Sequence, residues 1–178
     1  MAIRKVAVMG HPILRRVAEE VPPERILDPE VQRLVDDLVE TMREYEGAGI
    51  AAPQVYESKQ ICVIEEILPD EEFAGVPFTI LVNPKVTPQT TERMEFWEGC
   101  LSVPDLRGLV ARPRAVHVDA FDRHGQPLSF DVDGFFATVI QHETDHLQGV
   151  LFIDRVEDTR TLAFTRELRR HRDVESSD

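Results

Sequence analysis

His142 and His146 stand four residues apart in Gln141-His142-Glu143-Thr144-Asp145-His146-Leu147. On a helix that spacing places both imidazoles on one face, one turn above the other. Two imidazoles so placed can share one divalent metal, and Glu143, beside the first, is within reach of a water on that metal. Such a centre makes hydroxide at neutral pH and directs it at a carbonyl. The competing explanation is a helix carrying two partly exposed histidines. The residues upstream weigh against it: Phe135, Phe136, Ala137, Val139 and Ile140 make the first turns apolar almost all round, as in a helix inside a core. Two histidines and an acid on its continuation are costly to bury without partners, and a metal removes that difficulty.

Two histidines are one ligand short of a catalytic site with an open position. The extended protease pattern begins with Gly149 but puts Phe152, which cannot bind metal, where its last histidine belongs. Glu167 could serve in the other common protease arrangement, making the chain a zinc endopeptidase. It lies, however, in Thr165-Arg166-Glu167-Leu168-Arg169-Arg170-His171-Arg172, where an ion pair with a neighbouring arginine is the simpler role. Upstream, Glu98-Gly99-Cys100-Leu101-Ser102 offers Cys100 after a glycine, where the backbone can turn sharply and present a thiolate. The only other cysteine, Cys62 in Ile61-Cys62-Val63-Ile64, reads as a buried small hydrophobe. A third segment, Gly47-Ala48-Gly49-Ile50-Ala51-Ala52-Pro53-Gln54, is dense in small residues that allow close approach. It ends in Gln54, an amide able to donate to a developing oxyanion.

The elements that must position these groups follow from pattern. Asp28 reads as an N-cap with Pro29 in the first turn, and Val31, Leu34, Val35, Leu38 and Met42 form the stripe of a helix ending near Tyr45 to Gly47. Lys59 to Ile67 and Phe78 to Val86 read as strands, separated by an acidic loop from Pro69 to Pro77. Ala115 to Phe121 and Leu128 to Val132 should pair as a hairpin across Arg123-His124-Gly125-Gln126. Gly134 closes the strand before the catalytic helix and Gly149 ends that helix. Thr159 to Arg172 reads as a terminal helix. Strands outnumber helices, so the expected class is α+β. At 178 residues the chain suits one domain, here 1–173, with 174–178 a frayed tail. No apolar run is long enough to span a membrane and the N-terminus lacks a secretory signal. Two cysteines, one needed as a thiolate, suggest a reducing cytoplasm. A formal net charge of −13 disfavours sequence-independent binding of nucleic acid over the whole surface. His11, His117, His124 and His171 read as surface residues, which leaves His142 and His146 as the histidines in a ligand pattern.

The three segments Gly47 to Gln54, Glu98 to Ser102 and Gln141 to His146 resemble the signature motifs of the peptide deformylases. They occur in that family's order and approximate spacing, and the similarity runs from Met9-Gly10-His11-Pro12 to Leu151-Phe152-Ile153-Asp154. One departure is Ala48, where the family usually carries a bulkier aliphatic residue beside the substrate's methionine side chain. The resemblance implies antiparallel sheets packed around a central metal-binding helix. It implies removal of the formyl group from formyl-methionyl nascent polypeptides, releasing formate. Cys100, His142 and His146 would hold the metal, Glu143 would move the proton, and the Gln54 amide and Leu101 backbone N–H would donate to the oxyanion. Ligand types alone suggest zinc. The family implies Fe(2+), replaceable by nickel, cobalt or zinc. The methionine pocket would comprise Ala48, Gly49, Phe96, Phe135, Thr138, Val139 and His142, with Thr138 placed there by the family correspondence. Asp145, on a buried helix, needs a counter-charge, and the arginine at the family's matching position is Arg112. The expected enzyme is a cytoplasmic monomer. Arg166, Arg169 and Arg170 share one face of the terminal helix, a solvated helix end or a weak ribosome contact of the kind made by terminal helices in some similar deformylases. A catalytically silent ribosome-binding relative is a further alternative, disfavoured because every expected reactive residue is present.

Overall fold

The computed structural model describes residues 2–69 and 75–175, the side chains of 172–175 excepted. The elements run in the order α1 (Pro29–Glu44), β1 (Gly49–Ala51), β2 (Ile61–Ile64), β3 (Thr79–Pro88), β4 (Arg93–Cys100), β5 (Val103–Pro113), β6 (Ala115–Phe121), β7 (Pro127–Asp133), α2 (Gly134–Leu147), β8 (Ala163–Phe164) and α3 (Thr165–Glu175). Among the described residues two antiparallel sheets result, one of five strands ordered β1-β2-β3-β6-β7 and one of three ordered β4-β5-β8. This is the expected α+β arrangement.

The period-2 geometry of β2 explains how two helices share the larger sheet. Ile61 and Val63 point to one face and pack with Leu34, Leu38 and Met42 of α1. Cys62 and Ile64 point to the other and pack with Ala137, Ile140 and Leu147 of α2. Cys62 is fully buried, as expected, and burial pushes its thiol well above the usual range. The opposite side of α2 meets β5 of the smaller sheet, so this helix lies between the two sheets. Its C-terminus closes with Gly149 N–H bonded to the His146 carbonyl at 3.3 Å and Val150 N–H to the Asp145 carbonyl at 2.9 Å. That pair of bonds requires a left-handed residue, and Gly149 supplies φ of 72°. A Cβ there would also meet the Arg15 backbone at 2.7 Å, so the glycine lets the N-terminal segment cross the helix end.

Several local expectations need correction. Asp28 sits at the N-cap position of α1, yet its carboxylate accepts from Arg25 Nε at 2.8 Å instead of capping the backbone. The strand expected over Lys59 to Ile67 is only Ile61–Ile64. The hairpin β4–β5 had no counterpart in the sequence reading, because its buried positions include Glu98, Gly108 and Arg112 along with Val110. Charge on the inner face hides the alternation that marks a strand. The helix expected over Thr159 to Arg172 begins only at Thr165. Asp158 accepts from Arg160 N–H at 2.9 Å and closes a 3-10 turn, after which Ala163 and Phe164 pair with Arg107 and Leu106 of β5. Backbone pairing to that edge outcompetes helix in this stretch. The backbone of α3 is described as far as Glu175, and 176–178, the rest of the expected tail, lie outside the described residues.

Candidate metal centre and active site

Cys100 ends β4 at a break in the β4–β5 register. Gly99 pairs with Arg107, whereas Cys100 pairs with Val103 across a tight turn. A Cβ on Gly99 would collide with the Arg107 guanidinium, so the backbone passes under that side chain only as glycine. The bulge turns the Cys100 thiol towards α2, and Ser102 N–H approaches Sγ at 3.4 Å. His146 Nε2 lies 3.2 Å from Sγ, and one ligand atom from each of Cys100, His142 and His146 lies within 4.8 Å of the others. Burial pushes the Cys100 thiol up, but the charge and hydrogen bonds of His146 and His142 outweigh it and hold the pKa well below the usual range. A thiolate is the form that binds metal.

His142 is oriented by Glu98, whose Oε2 lies 2.7 Å from Nδ1. That contact leaves Nε2 as the nitrogen for a metal, an arrangement typical of ligating histidines. Burial pushes the Glu98 acid up, yet the hydrogen bonds and charges of His142 and Arg112 prevail and hold its pKa at about 2. Glu143 is buried, and burial raises its pKa to about 7 against the pull of His142 and His146. Its Oε2, like His146 Nδ1, has no hydrogen-bond partner among the described residues. A buried acceptor without a partner is costly, so a water or substrate atom fits there. The sulfur and nitrogen donor set, the thiolate and this carboxylate together fit a catalytic divalent metal with an open position.

Gln54 follows β1 in a short 3-10 turn and is fully enclosed. Its Oε1 accepts from Ala51 N–H at 2.8 Å, which turns Nε2 towards Cys100 Sγ at 3.5 Å and Ser102 Oγ at 3.2 Å. Gly49 packs directly on Glu143: an added Cβ would lie 2.5 Å from Oε1. These groups border a cavity of about 710 Å³. Ala48, Gly49, Phe96, Phe135, Thr138 and Val139 line it together with Gln54, Cys100, Leu101, His142 and Glu143. The Phe96 and Phe135 rings meet edge to face at 5.5 Å. His146 lies behind this lining and is almost fully buried.

Glu167 is not brought to the centre; it pairs with Arg166 at 3.3 Å and Arg170 at 3.1 Å. His11 packs edge-on against Tyr56, and His117 is held by Asp131 at 2.6 Å and by Ser129 at 3.2 Å. Arg112 Nη1 donates to Asp145 Oδ2 at 2.8 Å, the ion pair that the family resemblance implied. Two participants went without a role in the sequence reading. Glu98 stands in the Cys100 motif, and the need of a ligating histidine for a carboxylate partner was the signal that could have found it. Arg155, which also grips Asp145, left no local signal.

Comparison with known proteins agrees with this geometry. The family model for polypeptide deformylase matches residues 3–161. A peptide deformylase of Leptospira biflexa is 39% identical over 171 residues, covering 94% of this chain and 96% of its own length. Peptide deformylase 2 of Pseudomonas putida is 43% identical over 170 residues, covering 93% and 94% respectively. The crystal structure of a class I type b peptide deformylase from Acinetobacter baumannii with Met-Ala-Ser bound superposes with a TM-score of 0.81 at 35% identity, over 87% of this chain and 99% of that one. With the family model, the relatives and the fold matched along most of its length, the chain belongs to the polypeptide deformylase family.

Proposed function

We propose that this chain removes the formyl group from the N-terminal methionine of nascent polypeptides by metal-dependent hydrolysis, releasing formate. The observation that carries the reading is the meeting of a cysteine sulfur, two imidazoles and a buried carboxylate, whose Oε2 has no hydrogen-bond partner among the described residues, beside one largely apolar cavity. The Acinetobacter relative binds Met-Ala-Ser, a peptide that begins with methionine. Phe96, Phe135 and Val139 offer apolar surface suited to that side chain, and Ala48 leaves room beside it.

Cys100, His142 and His146 are the residues that would hold the metal. When bound, the metal supplies Lewis acidity that lowers the pKa of water and polarises the formyl oxygen. Glu143 takes the proton of the attacking water and passes it to the departing amine. A pKa near 7 suits both directions at neutral pH. Gln54 Nε2 and the Leu101 backbone N–H donate to the oxyanion as the formyl carbon becomes tetrahedral. Ferrous iron is the metal proposed in the cell, with zinc, nickel or cobalt able to replace it, and metal analysis after anaerobic purification tests the assignment. Two free cysteines fit a reducing cytoplasm, and no helix among the described residues is long and apolar enough to cross a membrane. A monomer completes the reading.

The decisive experiment supplies formyl-Met-Ala-Ser to the metal-loaded protein and measures formate together with the free amine. Internal cleavage of an unformylated peptide without formate would replace this reading by an endopeptidase. On α3, Arg166 and Arg170 are exposed at 81% and 70%, although Glu167 pairs with both. A weak ribosome contact through this face should be steeply salt-dependent. Reversing the charge of Arg166, Arg169 and Arg170 should reduce cosedimentation with ribosomes at low salt and leave turnover of a short formyl peptide unchanged. Undiminished cosedimentation would make this face a solvated helix surface.

A further inference from the structure

A directional chain of ion pairs leads from His142 out to solvent. Glu98 Oε2 is shared by His142 Nδ1 at 2.7 Å and Arg112 Nη2 at 3.0 Å, while Oε1 accepts from Arg112 Nε at 2.6 Å. Arg112 Nη1 donates to Asp145 Oδ2 at 2.8 Å. Asp145 is gripped on its outer side by Arg155, with Nη2 donating to Oδ1 at 2.7 Å and Nε to Oδ2 at 3.1 Å. The side chains of Glu98, Arg112 and Asp145 are 5%, 5% and 11% exposed, whereas Arg155 is 49% exposed. Arg155 borders a second cavity, of about 670 Å³, shared with Arg112 and Asp145 but with none of the three proposed ligands.

We infer that Arg155 is a positioning residue for the imidazole of His142, acting through Asp145, Arg112 and Glu98. The inference rests on the reading of His142 as a metal ligand. Two buried carboxylates compete for one guanidinium, that of Arg112. Arg155 supplies two donors to Asp145 and so weakens its claim on Arg112, leaving Nε and Nη2 aligned on the two Glu98 oxygens. Glu98, held at both oxygens, keeps the plane of its carboxylate and thereby the rotation of the His142 ring. Without Arg155, Asp145 Oδ1 loses this donor and Asp145 draws Arg112 outward, releasing Glu98 to turn. A half-exposed ion pair by itself contributes little to stability. The effect therefore falls on the geometry of the centre and much less on the fold.

The test uses the protein loaded with cobalt(II), whose visible absorption reports ligand geometry, and follows release of cobalt to a chelator. Loss of a direct partner of a ligating histidine costs about 10–100-fold in metal affinity; Arg155 acts three side chains further out, so Arg155→Met should release cobalt about 3- to 10-fold faster. Its absorption bands should shift while the melting temperature of the loaded protein stays near that of the wild type. Arg155→Lys, which retains the charge but not the two-pronged geometry, should fall between. Arg160→Met, a control at a 90% exposed arginine paired with Asp158, should match the wild type. An Arg155→Met protein with wild-type release and spectrum would overturn the inference, as would equal acceleration in Arg160→Met. Failure of the wild-type protein itself to hold one cobalt would instead remove the ligand reading on which the inference stands.

Discussion

Replacing Gly49 by alanine tests whether the position of the Glu143 carboxylate governs turnover. A Cβ at Gly49 would lie 2.5 Å from Glu143 Oε1, 2.7 Å from Cδ and 2.8 Å from Cγ. Ordinary contact begins at 3.4 Å, so the oxygen and the new methyl must separate by about 0.9 Å. Gly49 is not among the positive-φ glycines, so alanine meets no backbone strain and the perturbation is purely steric. Neither side yields easily, since Gly49 is buried and paired with Ile64 of β2, and Glu143 is enclosed on α2. A misplacement of about 1 Å can cost roughly 10²-fold in rate, equivalent to about 2.7 kcal/mol of barrier. The nearest neighbours of the added methyl all belong to Glu143 and none to Cys100, His142 or His146, so bound metal should stay stoichiometric. The assay is kcat on formyl-Met-Ala-Ser for Gly49→Ala, Glu143→Gln and the double variant, with metal content measured on each. Both changes disable the same group, so the double variant should be little worse than Glu143→Gln alone. A kcat for Gly49→Ala within about twofold of wild type, or full additivity in the cycle, would refute the reasoning.

The parts of this fold legible in the sequence are those whose meaning is local. The stripe of α1, the apolar start of α2 and the β6–β7 hairpin depend on neighbours a few residues away, and the structure contains all three. The β4–β5 hairpin was hidden because its inner face carries charge beside the candidate metal centre: where a strand would show valine or isoleucine, Glu98 and Arg112 stand. Their charge is tolerated only because each satisfies the other, and that pairing crosses 14 residues of chain. The same limit applies at the site. His142 and His146 announce themselves by helical spacing, but Glu98 gains its role from a histidine 44 residues away. Asp145 pointed to one counter-charge, and the structure gives it two, because a carboxylate has acceptor sites for several donors. Which second arginine reaches it depends on the path the chain takes after the turn at Gly149. The terminal helix was overextended for a related reason, since no residue in Thr159 to Phe164 signals that the edge of β5 lies open to it.

Cys100→Ala should lose tight metal binding and turnover together, because two imidazoles remain, whereas Glu143→Gln should keep its metal and lose about 10²–10⁴-fold in rate. Metal content and kcat on both variants check this, and near-normal turnover in Glu143→Gln would disprove the proton-transfer role. A methylene in an apolar pocket is discriminated by only about 1–3 kcal/mol, so formyl-norleucine should be accepted and formyl-Ala disfavoured. Equal kcat/KM for formyl-Met, formyl-norleucine and formyl-Ala peptides would exclude an apolar side-chain slot. The last expectation concerns acid. Burial raises the Glu98 carboxyl, and the hydrogen bonds from His142 and Arg112 more than reverse it, giving about 2 in the fold against an ordinary 4.5. A depressed carboxylate stabilises the fold fully above its unfolded pKa and ceases to do so as pH falls through the folded value. The Glu98 contribution should therefore be complete above about pH 5 and be lost progressively towards about pH 2, roughly 3 kcal/mol in all. Urea unfolding of the chelated protein, stepped from about pH 6 to about pH 3, should show this decline on top of that from the other carboxylates. Glu98→Gln lowers the starting stability by leaving Arg112 short of a counter-charge, but it should flatten the slope, because glutamine takes up no proton. Parallel slopes for the two proteins would mean that Glu98 ionises in the fold as it does in the open chain, and that the bonds from His142 and Arg112 do not hold it charged.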